Sequence, residues 1–171
     1  THDQSSAASD VYKRQDFLGV NYYSRGVIRS NEISESQNLP KNVEMGPETD
    51  FGWEVYPPGL YDLLVKLKKE YDVGTIFITE NGCSYSDGPN EENKIKDQRR
   101  IDYHHSHLLE IQKAIDDGVD CMYFAWSLMD NFEWAQGFSQ RFGLVWVDFE
   151  SLERTPKESY HWYKNYISNN K

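Results

Sequence analysis

The sequence predicts an α/β fold built on a parallel sheet. Short β-branched or aromatic runs alternate with amphipathic helical stretches in the order strand, loop, helix, three times over. The long polar loops follow the strands. The helices fall between successive strands, where right-handed crossovers between parallel strands place them.

Taken in order, Asp16 to Tyr23 (D-F-L-G-V-N-Y-Y) reads as a short buried strand with polar groups at its end. Ser24 to Asp50 has no period, carries Pro40, Gly46 and Pro47, and reads as a long loop of the kind that carries function. Pro57-Pro58-Gly59 opens a helix running to about Tyr71, with Leu60, Leu63, Leu64 and Leu67 as its inward stripe and Lys66, Lys68, Lys69 and Glu70 solvated. Thr75 to Thr79 has the composition of a buried strand. Glu80 follows it directly, and Asn81-Gly82 suits a sharp turn. A second helix is expected over Gln98 to Asp117, with Ile101, Leu108, Ile111 and Ile115 inward and Gly118 as its stop. Val119 to Trp126 is a third strand, Gly143 to Phe149 a short alternating one, and Pro156 starts a last helix bearing Tyr160, Trp162, Tyr163 and Tyr166.

Residues 1–15 stand apart, being polar and without period. Ser5 to Gln15 (S-S-A-A-S-D-V-Y-K-R-Q) is similar at every position to the in-frame translation of a transposon-type sequencing adapter. The folded domain is therefore expected to occupy residues 16–171, behind a non-native or unstructured leader.

At 171 residues the chain is one domain or a piece of a larger one. A formal charge of -10 argues against nucleic acid and anionic membrane surfaces as partners. No run is long and apolar enough to span a bilayer. Cys83 and Cys121 form no CxxC pair or zinc pattern, and so sparse a count fits a reducing, cytoplasmic setting. Aromatics make up 15% of residues, with 5 Trp and 12 Tyr, enough both to fill a core and to offer flat faces to an amphipathic ligand such as a sugar. His104, His105 and His107 lack the neighbouring carboxylate of a metalloprotease-like set and read as packing or surface residues.

Three polar clusters end three successive strands: Asn21-Tyr22-Tyr23, Glu80-Asn81-Gly82, and Trp126 through Trp134. In a parallel barrel such ends converge on one face. The convergence would assemble a carboxylate, a phenol, amide donors and aromatic walls, without a metal set, a phosphate cradle or a Ser-His-Asp order. Glycoside chemistry suits such a pocket. An oxocarbenium-like transition state needs a carboxylate at the anomeric carbon, and a retaining mechanism adds a second carboxyl about 5–5.5 Å away. On spacing alone, Glu80 and Glu133 could be that pair.

The residues resemble a known family. Ile78-Thr79-Glu80-Asn81-Gly82 is similar to the nucleophile motif of glycoside hydrolase family 1, the β-glucosidases. Asn21-Tyr22-Tyr23, Trp126-Ser127-Leu128-Met129-Asp130-Asn131-Phe132-Glu133-Trp134, Arg141-Phe142-Gly143-Leu144 and Arg154-Thr155-Pro156-Lys157 resemble its later motifs, in order, so the likeness covers Asp16 to Asn169. It implies the C-terminal portion, the last three βα units, of a (β/α)8 TIM barrel. It also implies Glu80 as nucleophile, with Tyr23 donating to it and Asn21 in the same polar cluster. Trp126 and Trp134 would wall the glycone subsite, Glu133 would bind two sugar hydroxyls, Phe142 would close the subsite, and Trp53 would face the aglycone.

The resemblance thus moves Glu133 from acid to recognition. The family's acid/base lies in an Asn-Glu-Pro stretch that this sequence lacks, its nearest string being Asn31-Glu32-Ile33 in a different loop. The implied activity is retaining hydrolysis of β-glucosides or β-galactosides, small-molecule substrates, without cofactor or metal. The chain alone is expected to be inactive, and nothing in it specifies an oligomeric state. The alternatives are a 6-phospho-β-glucosidase and a non-catalytic sugar-binding relative. In the first, a substrate phosphate would have to sit beside the Glu133 carboxylate, an unfavourable pairing of anions.

Overall fold

The computed structural model describes residues 16–28, 43–71 and 73–170. Residues 1–15, read from sequence as a leader, and the Asn31-Glu32-Ile33 string lie outside the described residues. Strands β1 (Phe17–Asn21), β2 (Thr75–Asn81) and β3 (Cys121–Ala125) form a parallel sheet in the order β1-β2-β3. Helix α1 (Pro58–Glu70) connects β1 to β2, and α2 (Gln98–Asp116) connects β2 to β3. Beyond β3, strands β4 (Val145–Val147) and β5 (Arg154–Pro156) pair antiparallel as a separate ribbon before helix α3 (Glu158–Asn169).

One sheet face carries the core. Ile76 and Ile78 of β2 and the ring of Tyr22 pack with Leu60 and Leu64 of α1 and with Leu108, Ile111 and Ala114 of α2. Trp162, Tyr163 and Tyr166 of α3 close over the same cluster. Each fully buried aliphatic side chain contributes roughly 1.5–3 kcal/mol relative to exposure. The opposite face is open: Phe17, Met122 and Phe124 are exposed, and the rings of Phe17 and Phe77 lie 4.5 Å apart, with Phe124 6.1 Å beyond Phe77. The strands read from sequence as buried are therefore covered on one side only.

The structure departs from the sequence expectations at four places. Strand β2 continues through Glu80 to Asn81, so Glu80 belongs to the strand and Asn81-Gly82 is not its turn. The reason is that Asn81 satisfies its side chain inside the core and keeps pairing with β3. Helix α2 turns a mixed face inward, Arg100, Tyr103, His104, His107, Leu108, Ile111 and Ala114, while Ile115 is exposed. Pro156 ends β5 rather than opening α3, which begins at Glu158. Strand β5 itself, only Arg154–Pro156, is too short to show a period. Gly118 does end α2 as expected, with φ +88°, a left-handed conformation that favours glycine.

Buried charges tie the C-terminal ends together. Arg100, fully buried on the first turn of α2, pairs with Asp97 at 2.9 Å and donates to the carbonyls of Cys83, Tyr85 (3.0 Å), Arg141 (2.8 Å) and Phe142 (3.3 Å). Asp97 in turn accepts from the backbone and the hydroxyl of Ser159 on α3, at 2.9 and 2.6 Å. Asp130 accepts from Lys157 (3.1 Å), Arg141 (3.0 Å) and the Gly143 amide (2.9 Å). Burial, then the like charge of Arg100, pulls Lys157 down to about 8 against the attraction of Asp130.

Burial also holds His104 at about 3 and His107 at about 4, both below the ordinary 6.5. Both are therefore neutral in the native state at neutral pH. Below pH 6.5 the unfolded chain takes up protons that the native imidazoles refuse until about pH 4 and 3. Stability contributed by their burial is complete above pH 6.5 and lost as pH falls. The loss is expected to approach about 1.4 kcal/mol per pH unit for each histidine. Urea midpoints measured from pH 7.5 to pH 5 check this, and His107→Phe should flatten the slope by about one proton's worth.

Candidate active site

The cleft forms where the loops after β1, β2 and β3 meet. Tyr23 arrives just past β1, Glu80 from β2, and Trp126 just past β3. The loop from Asn131 to Gln136 supplies a second side, and Phe51, Trp53 and Phe142 a third, around a space of about 480 Å³. The Tyr23 hydroxyl donates to Glu80 Oε2 at 2.7 Å. That hydroxyl is raised far above its usual range, by burial first, then by the bond to Glu80 and its charge, so it stays protonated and remains the donor. Glu133 shares the cleft. Its carboxyl is raised by burial and then by the charge of Glu80, against a hydrogen bond from Trp126. Among the described residues that line the cleft there is no Lys or Arg.

The aromatic wall is continuous. Tyr23 lies 5.1 Å from Trp53, Trp53 4.2 Å from Phe51, and Phe142 about equally far, 6.1 Å, from both Tyr23 and Trp53. Phe142 is buried, whereas Trp134 is 83% exposed on a short 3₁₀ turn, Trp134–Gln136. Trp134 holds φ at +41°, an uncommon conformation for a bulky residue, of the kind that concentrates at ligand sites. The loop carrying it is anchored at its base by Asp130. The segment carrying Trp53 is anchored by Arg25, which grips the buried Glu54 with Nε at 2.7 Å and Nη2 at 2.8 Å, while the Gly46 amide adds a third bond at 2.7 Å. This grip holds Glu54 below the usual carboxylate range, the Arg25 bond contributing most.

Of the residues singled out from sequence, Glu80, Tyr23, Trp53, Trp126, Glu133, Trp134 and Phe142 come together around this one cleft. Asn21 does not line it. Its side chain lies on the open sheet face and accepts from Thr79 Oγ1 at 2.6 Å, so it supports the strand end beside the cleft. Sequence reading missed Phe51, Asn131, Phe132, Ala135 and Gln136 as lining residues. Phe51, Asn131 and Phe132 each adjoin or lie within a motif already singled out, the only signal available for them. Among the described residues, no cluster of three or more His, Cys, Asp or Glu side chains is arranged to hold a metal ion, and no helix is long and apolar enough to cross a membrane.

The sequence profile of glycosyl hydrolase family 1 matches residues 3–171. The chain belongs to that family. It is 41% identical over 163 residues to beta-glucosidase A of Thermotoga maritima, covering 95% of this chain and 36% of that one. It is 42% identical over 180 residues to a 6-phospho-beta-galactosidase of Staphylococcus haemolyticus, covering 92% of this chain and 38% of that one. The solved family 1 b-glucosidase from Thermotoga maritima superimposes with a TM-score of 0.87 at 39% identity, covering 99% of this chain and 38% of the other. The chain thus spans little more than a third of the length of these relatives and is a partial (β/α)8 barrel. The open sheet face is the side that looks into such a barrel.

Gly82 is a steric requirement of this family 1 cleft. A Cβ there would stand 1.7 Å from the Trp126 carbonyl oxygen, and Trp126 is itself tied to the same strand through its amide and the Asn81 carbonyl at 2.8 Å. Gly82→Ala is expected to cost on the order of 3 kcal/mol through backbone overlap. Chemical denaturation measures it, and a loss under about 1 kcal/mol would mean that the Trp126 backbone moves aside freely.

Proposed function

We propose that the full-length protein carrying this segment is a retaining β-glucosidase in which Glu80 forms a covalent glycosyl-enzyme. The observation that carries this reading is the 2.7 Å bond from Tyr23 to Glu80 Oε2 at the floor of an aromatic cleft. The bond holds one carboxylate oxygen and leaves the other free to attack the anomeric carbon. As the new C–O bond forms, the glycosidic C–O bond breaks, and the leaving oxygen takes a proton from an acid contributed by another part of the barrel. Water then attacks the same carbon, loses its proton to that group, and releases Glu80. Glu133 accepts hydrogen bonds from two sugar hydroxyls, Trp126 and Trp134 cover apolar faces of the ring, and Trp53 meets the aglycone.

The segment by itself should not turn over an aryl β-glucoside, because its sequence lacks the Asn-Glu-Pro stretch that carries the family's proton donor for the leaving group. In the full-length protein, an activated 2-deoxy-2-fluoro-β-glucoside should add one sugar to Glu80, seen by peptide mass, and Glu80→Gln should abolish both addition and turnover. Labelling at another residue would overturn the assignment.

A second reading, hydrolysis of 6-phosphorylated glycosides, draws support from the Staphylococcus relative. Against it stands Glu133, whose carboxylate in the sugar site would repel a phosphate. Comparing 6-phosphorylated with plain aryl glycosides separates the two. Because the Glu133 carboxyl is raised, its ionised form is lost sooner on acidification than that of an ordinary carboxylate. Affinity for a neutral sugar-shaped inhibitor should accordingly weaken as pH falls through that raised value, and Glu133→Gln should bind weakly with that part of the pH dependence gone.

A further inference from the structure

Strand parity places Glu80 on the wrong side unless something intervenes. Side chains alternate along a strand. Ile76 and Ile78 are buried towards the helices, whereas Phe77 and Thr79 face the open side. Continued alternation would send Glu80 beneath the helices and Asn81 into the cleft. The opposite is observed: Glu80 lines the cleft and Asn81 is fully buried. The register explains it. Val20 pairs with Ile78 but Asn21 with Glu80, and Ile78 pairs with Tyr123 but Asn81 with Ala125, so β2 carries one residue more than either neighbour. A bulge at this point turns the following side chains over.

The buried Asn81 amide fixes that bulge from behind. Its Nδ2 donates to the Tyr22 carbonyl at 2.7 Å and to the Tyr103 hydroxyl at 3.1 Å. A carbonyl can only accept, so the amide orientation is set, and Oδ1 is the atom that accepts from the Tyr123 hydroxyl at 2.8 Å. Tyr123 in turn accepts from His104 Nδ1 at 2.7 Å, and His104 is neutral, as that donation allows. Tyr103 passes its own proton on to the Tyr23 carbonyl at 3.3 Å. The amide therefore holds the backbone of Tyr22 directly and that of Tyr23 through Tyr103, while its own backbone follows Glu80.

We propose that Asn81 is a positioning residue for the reaction, setting the distance and angle between Tyr23 and Glu80 by clamping both of their backbones from the helix side. The proposal rests on the reading of Glu80 as nucleophile. Neither Asn81, Tyr103 nor Tyr123 lines the cleft, and the Asn81 amide side chain engages the Tyr22 and Tyr23 backbone rather than the tryptophan walls, so its effect reaches substrate through that pair. Displacing a reacting group by about 1 Å can cost on the order of a hundredfold in rate while leaving ground-state binding nearly intact.

The test uses the full-length protein and three variants of nearly unchanged volume. Asn81→Asp sets a carboxylate oxygen against the Tyr22 carbonyl. Tyr123→Phe and Tyr103→Phe each remove one hydroxyl. The readouts are the rate of covalent trapping by the activated 2-fluoroglucoside and the dissociation constant of a competitive sugar-shaped inhibitor. Asn81→Asp should slow trapping by about a hundredfold, and each Phe variant by roughly five- to twentyfold, with inhibitor binding within about threefold of the unmodified protein. If Asn81→Asp does not fold, the two Phe variants decide. Trapping within about twofold of the unmodified rate in every folded variant overturns the proposal, as does weakened inhibitor binding with an unchanged trapping rate. Absence of trapping in the unmodified protein overturns the nucleophile reading, and this proposal with it.

Discussion

The guanidinium of Arg100 is the interaction on which the cleft depends. Four backbone carbonyls, two from the loop after β2 and two from the segment before β4, converge on one buried cation paired with Asp97. Loops of this length have no repeating hydrogen-bond pattern of their own and would otherwise leave those carbonyls unsatisfied. A planar donor with five N–H groups satisfies them together and fixes the loops against each other. Replacing it with a neutral residue would strand the Asp97 charge and the carbonyls at once, which makes the pair a structural necessity rather than a simple gain in stability. Asp130 does the reverse with an anion, gathering Lys157, Arg141 and the Gly143 amide. One hub holds Phe142 in place, and the other holds the base of the loop that ends in Glu133 and Trp134.

The part of the cleft that this segment supplies carries two carboxyl side chains, Glu80 and Glu133, and no Lys or Arg among its described lining residues. The Tyr23 phenol donates to Glu80, while burial and then the charge of Glu80 raise the Glu133 carboxyl against the lowering effect of Trp126. Such an arrangement leaves both anions available to accept from neutral hydroxyls, which a paired guanidinium would have occupied.

Most of the cleft was legible in the sequence because its residues sit in short motifs at strand ends, and a parallel fold gathers strand ends whatever the intervening detail. Glu80, Tyr23, Trp126, Glu133 and Trp134 lie in such motifs, whereas Trp53 is signalled only by the family resemblance. Asn21 stands at the same strand end but turns to the open sheet face, since membership of a cluster in sequence does not decide which way a side chain turns at a bulge. The bulge leaves no trace in composition: Thr79, Glu80 and Asn81 would suit a strand end or a turn equally. Helix α2 shows a different limit. Counting apolar residues picked Ile115, which is exposed, and passed over Arg100, His104 and His107, which are buried. A polar side chain can lie inward only if distant groups satisfy it, and those groups, at residues 83–85, 123 and 141–142, are invisible to any local period.

The open sheet face has a consequence for handling the protein. Strands β1 and β3 are both edges of the three-stranded sheet, and Phe17, Phe77 and Phe124 form a row across it. Parallel edges with free backbone donors and acceptors recruit further strands, from whatever source is nearest. Within a whole barrel the chain's own neighbours occupy them at very high local concentration. In a concentrated solution of this segment alone, the nearest strand would belong to another copy, and self-association would set the practical ceiling on how much of it stays dispersed.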